Sequence, residues 1–189
     1  QVGLDLGITD LATLSDGTKI GAPKPLKTKL KKLQRLSKSL SRKQKGSANR
    51  AKAKTKLSRL HYQIGCIRKD FLHKLTTQLI NSYDTIAIED LNVKGMVKNR
   101  KLARSINDLG FYELKRQLIY KANQWGKTIK SVDRFFPSSK TCSVCQNKVE
   151  TLPLSMRTWQ CLHCQTTHDR DINASLNILH HANKVLTLA

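Results

Sequence analysis

The sequence predicts an α/β fold built on a mixed β-sheet, to which a basic helical hairpin and a small metal-binding element are added. Short apolar or β-branched runs alternate with longer helical repeats, as in a layered α/β domain. A leucine-spaced stretch near the amino terminus carries many cations and no acid. Near the carboxyl terminus, fifteen residues separate two Cys-x-x-Cys pairs. With 189 residues, the chain is long enough for one compact domain and a small appendage.

Charge is the strongest global signal. The chain has 35 lysines and arginines against 13 acids, a formal net charge of +22, and a pI near 10.1. Such an excess attracts polyanions, and we expect nucleic acid to be the partner. A membrane surface is the alternative, but no basic helix shows the bulky apolar face that insertion requires. No apolar run is long enough for a membrane span and no signal peptide is visible, which predicts a cytoplasmic protein.

The first 23 residues read as short strands. Residues 2–6 alternate apolar with small or polar positions, which predicts a half-buried strand. Residues 11–14 and 19–20, separated by a Ser-Asp-Gly turn at 15–17, predict the next two strands. These strands would open a mixed sheet.

Residues 24–82 predict a helical hairpin with a basic outer face. Leucines recur at three- and four-residue spacing from Leu26 to Leu40, and a second periodic run extends from Leu57 to Leu75. A Lys-Gly-Ser break at 45–47 separates the two helices. Residues 24–59 hold fifteen cations, and no acid lies between Asp16 and Asp70.

Plain solvation is the simple explanation of such a face, but unmixed charge repels itself within a helix. We therefore favour contacts with nucleic-acid phosphates, which supply affinity and not sequence choice. The candidate contacts are Lys29, Lys32, Arg35, Arg42 and Arg50.

Residues 83–140 predict a return to the sheet. A β-branched strand at 85–88 ends in Glu89 and Asp90, and a polar, basic loop follows at 92–107. Asp108 is a plausible N-cap for a helix that carries Phe111 on its apolar face and ends at Gly126. Residues 128–132 predict another strand. A last helix follows residue 171, with apolar positions in register from Ile172 to Leu186.

The two cysteine pairs predict one tetrahedral zinc site within residues 141–167. Each Cys-x-x-Cys turn can aim two sulfurs at a single ion, and the four ligands are Cys142, Cys145, Cys161 and Cys164. A disulfide pair or an iron–sulfur cluster is the alternative. We expect His163 and His168 to be exposed or hydrogen-bonded to a ligand. The aromatic residues are expected to pack in the core or against the metal element: Trp125, Phe135, Phe136 and Trp159.

Three carboxylates stand at the ends of predicted elements. Asp5 lies in the first strand, Glu89 closes a later strand, and Asp171 opens the last helix. Such groups can converge although they are distant in sequence, and a few carboxylate oxygens suit Mg²⁺. Two ions roughly 4 Å apart would activate water and stabilise the leaving oxygen of a phosphodiester. Asp90 competes with Glu89, and Asp169 with Asp171, for a place in this site.

Four segments carry a resemblance to a known family. They are Gly-Leu-Asp-Leu-Gly-Ile at 3–8, Ile-Glu-Asp-Leu-Asn at 88–92, Phe-Pro-Ser-Ser-Lys-Thr-Cys-Ser-Val-Cys at 136–145, and His-Asp-Arg-Asp-Ile-Asn-Ala-Ser at 168–175. Together they resemble the carboxyl-terminal nuclease half of the transposon-encoded TnpB family, relatives of the type V CRISPR effectors. The resemblance implies a RuvC-type, RNase H-like fold in three parts (1–23, 83–140 and 168–189). It also implies a zinc ribbon and a magnesium-dependent DNA endonuclease guided by RNA, associated with the prokaryotic nucleoid.

The resemblance assigns roles by position. Asp5, Glu89 and Asp171 match the family's catalytic acids, which favours Asp171 over Asp169. The four cysteines match zinc ligands, and the loop at 92–107 resembles a lid. Two departures stand out: Gln146 and Gln165 occupy positions where relatives commonly have glycine, and the family's amino-terminal recognition region is absent from these residues.

Two other functions compete with the nuclease. A non-cleaving protein, such as an RNA-guided repressor, would bind guide RNA and target DNA in the same way, but relatives of that kind typically lack one of the acids. A cut-and-paste transposase also uses an acid triad, although the order Asp, Glu, Asp with the ribbon before the last acid argues against it.

Overall fold

The computed structural model describes residues 1–184, so the predicted position of Leu186 in the last helix lies outside the described residues. The strands are β1 (Val2–Asp5), β2 (Ala12–Leu14), β3 (Lys19–Ile20), β4 (Thr85–Glu89), β5 (Thr128–Val132), β6 (Thr158–Gln160) and β7 (Thr167–Asp169). The helices are α1 (Pro25–Ser41), α2 (Ala48–Ser82), α3 (Val93–Met96), α4 (Ala103–Leu109), α5 (Phe111–Gln124) and α6 (Arg170–Lys184), with a short 3-10 turn at Ser138–Lys140.

Five strands form one mixed sheet in the order β3-β2-β1-β4-β5. The meander β1-β2-β3 is antiparallel, whereas β4 lies parallel to both β1 and β5. Leu4 pairs with Ile88, so Asp5 and Glu89 follow at the same edge of the sheet. The prediction of a mixed α/β fold is confirmed.

Side-chain alternation divides the sheet into two faces. Val2, Leu4, Ile86 and Ile88 point into the main core, which α2 and α5 cover. Ala87 instead packs in a second cluster with residues of α6. Because successive side chains of a strand point to opposite faces, Asp5 and Glu89 lie on the α6 side.

Helix α6 approaches the sheet closely at Gly3. A β-carbon added to Gly3 would lie 2.1 Å from the backbone oxygen of Ser175. This contact requires glycine, and it draws the helix that carries Asp171 onto the strand that carries Asp5.

The predicted helical hairpin is present, with its break at residues 42–47. Ser47 caps α2 by accepting a hydrogen bond from the Arg50 backbone N–H. Leu60 and Ile64 are buried along the seam, whereas Ile67, which belongs to the same predicted periodic run from Leu57 to Leu75, is 39% exposed. The last third of α2 leaves the hairpin and packs Leu72, Leu75, Leu79 and Ile80 into the main core.

The segment at 92–107 is not an open loop. It forms the short helix α3 and most of α4, and Asn92 caps α3 through a hydrogen bond from the Gly95 N–H. The polar composition of this segment gave no helical periodicity. Asn92 stabilises the first turn of α3 as its N-cap, a role that a polar residue plays from outside the helix.

Asp108 caps a different helix from the one predicted. It lies inside α4 and is 4% exposed, and Gly110 stands at the start of α5. Both Asp108 carboxylate oxygens accept hydrogen bonds at 2.9 Å, from the backbone N–H groups of Leu26 and Lys27. The carboxylate thus caps α1, whose own N-cap residue, Lys24, makes no side-chain cap.

Replacing Asp108 with alanine is expected to destabilise the fold by about 2 kcal/mol, because two helix N–H groups lose their acceptor. Urea unfolding measures the change. Asp70→Ala is the matched control, since Asp70 is exposed on α2 and pairs with the exposed Lys74; we expect a change within about 0.5 kcal/mol. Equal effects of the two substitutions would contradict the capping role of Asp108.

Two aromatic residues are not packed as predicted. Trp125 is 55% exposed and Phe135 is 85% exposed, because both stand beyond the end of an element that could cover them. Phe136 stacks on His181, with ring centroids 4.2 Å apart, and Trp159 is buried beside the cysteines. Within residues 1–184, no helix combines the length and apolar character that crossing a membrane demands.

Candidate functional site

The three predicted carboxylates lie near one another on the α6 side of the sheet, but within residues 1–184 the four cysteines are the group whose ligand atoms already stand close enough together to hold one ion. Asp5 ends β1, Glu89 ends the neighbouring parallel strand β4, and Asp171 is the second residue of α6. Burial, followed by the charges of Glu89 and Asp171, raises the pKa of Asp5 from 3.8 to about 7, although Arg170 and Arg157 partly oppose this rise. Glu89 and Asp171 therefore both stand within electrostatic range of Asp5.

Glu89 is held by a hydroxyl group. Ser138, in the turn after β5, donates a hydrogen bond of 2.6 Å to Glu89 Oε1. Burial raises the pKa of Glu89, and the Ser138 hydrogen bond partly opposes this effect. Ser138 is itself buried, so it fixes the orientation of the carboxylate.

The rival acids have other partners. Asp90 is bound by Lys115 at 2.7 Å and by Arg134 at 2.6 Å, and these bonds lower its pKa. Asp169 accepts from the N–H groups of Asp171 and Ile172 and pairs with Lys19 at 2.7 Å. Asp169 is thus the cap of α6, and its contacts hold Asp171 in place.

Two buried asparagines connect the site to the cysteine element. Asn173 accepts a hydrogen bond from the Ser143 N–H and donates to the Thr141 carbonyl. Asn177 donates to the carbonyl of Ser138, the residue that holds Glu89. No role for these residues is predicted from the sequence, although Ser138 and Asn173 lie inside the segments that carry the resemblance.

The four predicted cysteines form one cluster. Their Sγ atoms all lie within 4.8 Å of one another, and the nearest pairs, Cys142–Cys164 and Cys145–Cys161, are 3.6 Å apart. A disulfide bond needs about 2.05 Å, whereas a tetrahedral ion with Zn–S near 2.3 Å spaces its sulfurs by roughly 3.8 Å. The cluster therefore fits a metal ion such as zinc.

His168 supports the cluster from outside it. Its Nε2 lies 3.1 Å from Cys142 Sγ, and its ring lies against Trp159 at a centroid distance of 4.8 Å. Burial lowers the pKa of His168, which favours the neutral ring. His168 thus contacts Cys142, one of the predicted metal ligands. His163 is instead exposed.

Each Cys-x-x-Cys turn places the glutamine that follows it in the left-handed backbone conformation, which non-glycine residues disfavour. Gln146 has φ 62° and Gln165 has φ 59°, both in the left-handed region. Each backbone N–H closes its turn, at 2.9 Å to the Cys142 carbonyl and 2.8 Å to the Cys161 carbonyl. The glutamine side chains also donate to knuckle carbonyls, Gln165 to Leu162 at 3.0 Å.

Gln146→Gly is expected to stabilise the metal-loaded element by up to about 1 kcal/mol, because glycine adopts this φ without steric cost. Gln146→Val should destabilise it by about 1–2 kcal/mol, since a β-branched residue is strained there. Zinc competition with a chromophoric chelator ranks the two variants against the parent. Tighter zinc binding by the valine variant would contradict the role of φ at this position.

Two family models match the chain. OrfB_IS605, described as "Probable transposase", matches residues 1–100, which is more than half of the chain, and the TNB domain of Cas12f1-like proteins matches residues 111–178. The chain belongs to the OrfB_IS605 (TnpB) transposase family. The resemblance carried by the four sequence segments is confirmed.

Two members of this TnpB family show the extent of the likeness. A Streptomyces pristinaespiralis protein is 48% identical over 178 residues, covering 94% of this chain and 44% of its own length. An Escherichia coli K12 protein is 39% identical over 201 residues, covering 98% and 50% respectively. Both are named "Putative RNA-guided DNA endonuclease". The chain thus spans about half the length of the curated relatives it matches.

A solved structure shares the fold. A chain from the "Cryo-EM structure of the Cas12f1-sgRNA-target DNA complex" matches 94% of this chain and 48% of its own length, with 19% identity and a TM-score of 0.64. At that identity the likeness concerns the fold alone, and it agrees with the mixed five-stranded sheet.

Proposed function

We propose that this chain supplies the nuclease portion of an RNA-guided DNA endonuclease, with a RuvC-type, RNase H-like site formed by Asp5, Glu89 and Asp171. The observation that supports this most strongly is that the charges of Glu89 and Asp171 both act on Asp5, whose pKa is raised to about 7, in a protein of charge +22. Such a cluster is unstable without cations, which is expected of a site built for divalent metal ions.

The three carboxylates would hold Mg²⁺. Bound there, Mg²⁺ would supply an activated water and charge stabilisation for phosphodiester hydrolysis, with two ions expected. The protein's own contribution is positional: Ser138 orients Glu89, and Asp169 with Lys19 anchors the start of α6. Arg157 lies 3.4 Å from Asp171 and offers a cation at the edge of the site.

The four cysteines would hold a structural zinc ion. All four ligand positions are filled by protein thiols, so this ion would have no position left for substrate. The element's last strand, β7, leads directly into α6. A zinc ribbon of this kind would therefore fix the helix that carries Asp171.

Guide RNA and target DNA are the proposed partners, and the prokaryotic nucleoid is the proposed location. Lys32, Arg35 and Arg42 are exposed on the hairpin and Lys29 is half-buried, which suits contact with phosphates. Arg50 is engaged differently, because its Nη1 donates to the carbonyls of Leu40 and Lys43 and so closes the hairpin.

We expect the simultaneous replacement of Lys32, Arg35 and Arg42 by glutamine to weaken the salt dependence of DNA binding. The slope of log K against log salt concentration should become shallower by about two to three. Fluorescence anisotropy over a salt series measures this slope. The matched control exchanges lysine and arginine at the same positions, and we expect it to keep the parent slope because the charge is unchanged. A parent-like slope for the neutral variant would leave the hairpin face without a role in phosphate contact.

Programmed DNA cleavage tests the proposed function. Since the relatives are about twice as long, these 189 residues would replace the matching segment of the Streptomyces relative, whose flanking RNA is co-expressed. We expect magnesium-dependent cutting by this chimera and by its Asp70→Asn control, and none by its Asp171→Asn variant. Guided binding without cutting would favour an RNA-guided repressor, and strand joining to new DNA would favour a transposase; either result contradicts the proposal.

A further inference from the structure

A cavity of about 390 Å³ lies beside the candidate site, between the end of β4, α3 and α5. Its floor is apolar and consists of Leu6, Ile88, Phe111, Leu114 and Leu118. Ile88, Phe111, Leu114 and Leu118 are each at most 2% exposed, so the floor is part of the packed core. The volume is within the range of small-molecule pockets, roughly 300–1,000 Å³.

The rim of this cavity is cationic and aromatic. Lys94, Lys115, Arg116 and Arg134 line it, together with Asp90 and the end of β4 at Glu89. Asp90 pairs with Lys115 and Arg134, and Glu113 pairs with Arg116, so the four cations exceed the nearby carboxylates of Glu89, Asp90 and Glu113 by one charge.

Tyr112 lines the mouth and is 70% exposed. One turn further along α5, the Arg116 guanidinium lies 5.4 Å from the centroid of the Tyr120 ring. The planar side chains of Tyr112 and Arg116 therefore line the entrance of an apolar pocket. This combination suits a planar, partly apolar group that is attached to an anion.

We propose that the cavity binds one nucleobase of the single DNA strand whose phosphate lies at Asp5, Glu89 and Asp171. Ile88 and Glu89 are consecutive in β4 and point to opposite faces of the sheet. A strand crossing this edge would place its phosphate on the α6 side and a base on the α5 side. The proposal rests on the proposed function, because it needs DNA at those carboxylates.

The chemistry of the pocket favours a base over other ligands. Contact between the apolar floor and the face of a base removes apolar surface from water. Tyr112 can stack on the same base, as aromatic residues do in single-strand binding proteins. Enzymes that act on nucleic acids hold extruded bases between apolar and aromatic side chains in the same manner. Lys115 and Arg134 are close enough to the mouth to attract the adjacent phosphates.

A double-mutant cycle tests the proposal with the 189-residue chain in Ca²⁺ buffer. The two probes are oligothymidylate and a fully abasic oligonucleotide of equal length, and anisotropy gives their affinities. For each protein, the ratio of the two dissociation constants gives the effect of removing the bases. We expect this ratio to be about tenfold larger for the parent than for Tyr112→Ala. Tyr112→Phe keeps the ring and should behave as the parent. The matched control is Tyr62→Ala, since Tyr62 is 75% exposed on α2 and should retain the full effect of base removal.

Cross-linking locates the contact independently. An oligothymidylate carrying 5-iododeoxyuridine should form its photo-cross-link at Tyr112, identified by mass spectrometry. Cross-links at Tyr62 or Trp125 in place of Tyr112, or equal base-removal effects in the parent and Tyr112→Ala, would overturn the proposal. If the chimera cuts DNA but the double-mutant cycle is additive, the base-binding proposal is refuted and the proposed function stands. If the cycle shows coupling but the chimera does not cut, the proposed nuclease activity is refuted and base binding stands.

Discussion

Asp5→Asn is expected to reduce DNA cleavage by at least about a thousandfold and, at pH 8 without divalent ions, to raise the stability of the fold. The loss of cleavage follows because asparagine removes one anionic oxygen from the site proposed to hold Mg²⁺, an effect of several kcal/mol on the transition state. The gain in stability follows because the half-buried Asp5 carboxylate lies beside the charges of Glu89 and Asp171.

The pH dependence of stability has a definite sign. The pKa of Asp5 is raised from 3.8 to about 7, so between these values the folded state binds more protons than the unfolded state. Stability without divalent ions therefore falls as the pH rises through this window. Since one pKa unit corresponds to about 1.4 kcal/mol, the cost above pH 7 is about 4 kcal/mol at most.

Urea unfolding of the parent and the Asp5→Asn variant measures this effect. We expect the variant to be more stable by about 2–4 kcal/mol at pH 8, with the difference shrinking toward zero near pH 4. Glu89→Gln should show the same trend, because burial also raises the pKa of Glu89. A variant that is less stable than the parent at pH 8 would mean that the carboxylate is already neutralised by protein cations.

Removing the metal ion from the four cysteines is expected to unfold the element between Thr141 and Thr167. Structural zinc binding contributes about 10–16 kcal/mol in zinc-finger peptides, far more than the small apolar cluster around Trp159 can supply. The sheet core should survive, because it is formed by residues outside the element.

Thiol titration and tryptophan fluorescence measure this unfolding. With the ion bound, only the exposed Cys66 should react quickly with a thiol reagent; a chelator should make all five cysteines reactive. In a Trp125→Phe background, Trp159 is the one remaining tryptophan, so a red shift of its emission reports exposure of the ribbon. Fast reaction of all five thiols before chelation would contradict metal binding in the folded protein.

The places of the three carboxylates at the ends of elements follow from simple periodicities, whereas the choice of Glu89 over Asp90 and of Asp171 over Asp169 needed the family resemblance. Asp5 and Glu89 each end an apolar strand, and parallel pairing of those strands brings their ends together. Asp171 opens a helix whose apolar face is plain in the sequence. The cysteine cluster was equally visible, because ligand spacing within each knuckle is local.

What the sequence could not show depends on contacts between distant segments. Asp108 precedes one helix in sequence but caps another, 82 residues away from its hydrogen-bond donor Leu26. Ser138 carries no signal of its own until folding places it beside Glu89. The exposure of Trp125 and Phe135 was also unpredictable, because composition does not reveal where an element leaves a side chain uncovered.

Anomalous diffraction from crystals grown with Mn²⁺ in place of Mg²⁺ tests the central claim most directly. We expect anomalous density bounded by the carboxylate oxygens of Asp5, Glu89 and Asp171, and its loss in the Asp5→Asn variant. Mn²⁺ bound only elsewhere, with Asp171 still paired to Arg157 and the site free of anomalous density, would contradict it.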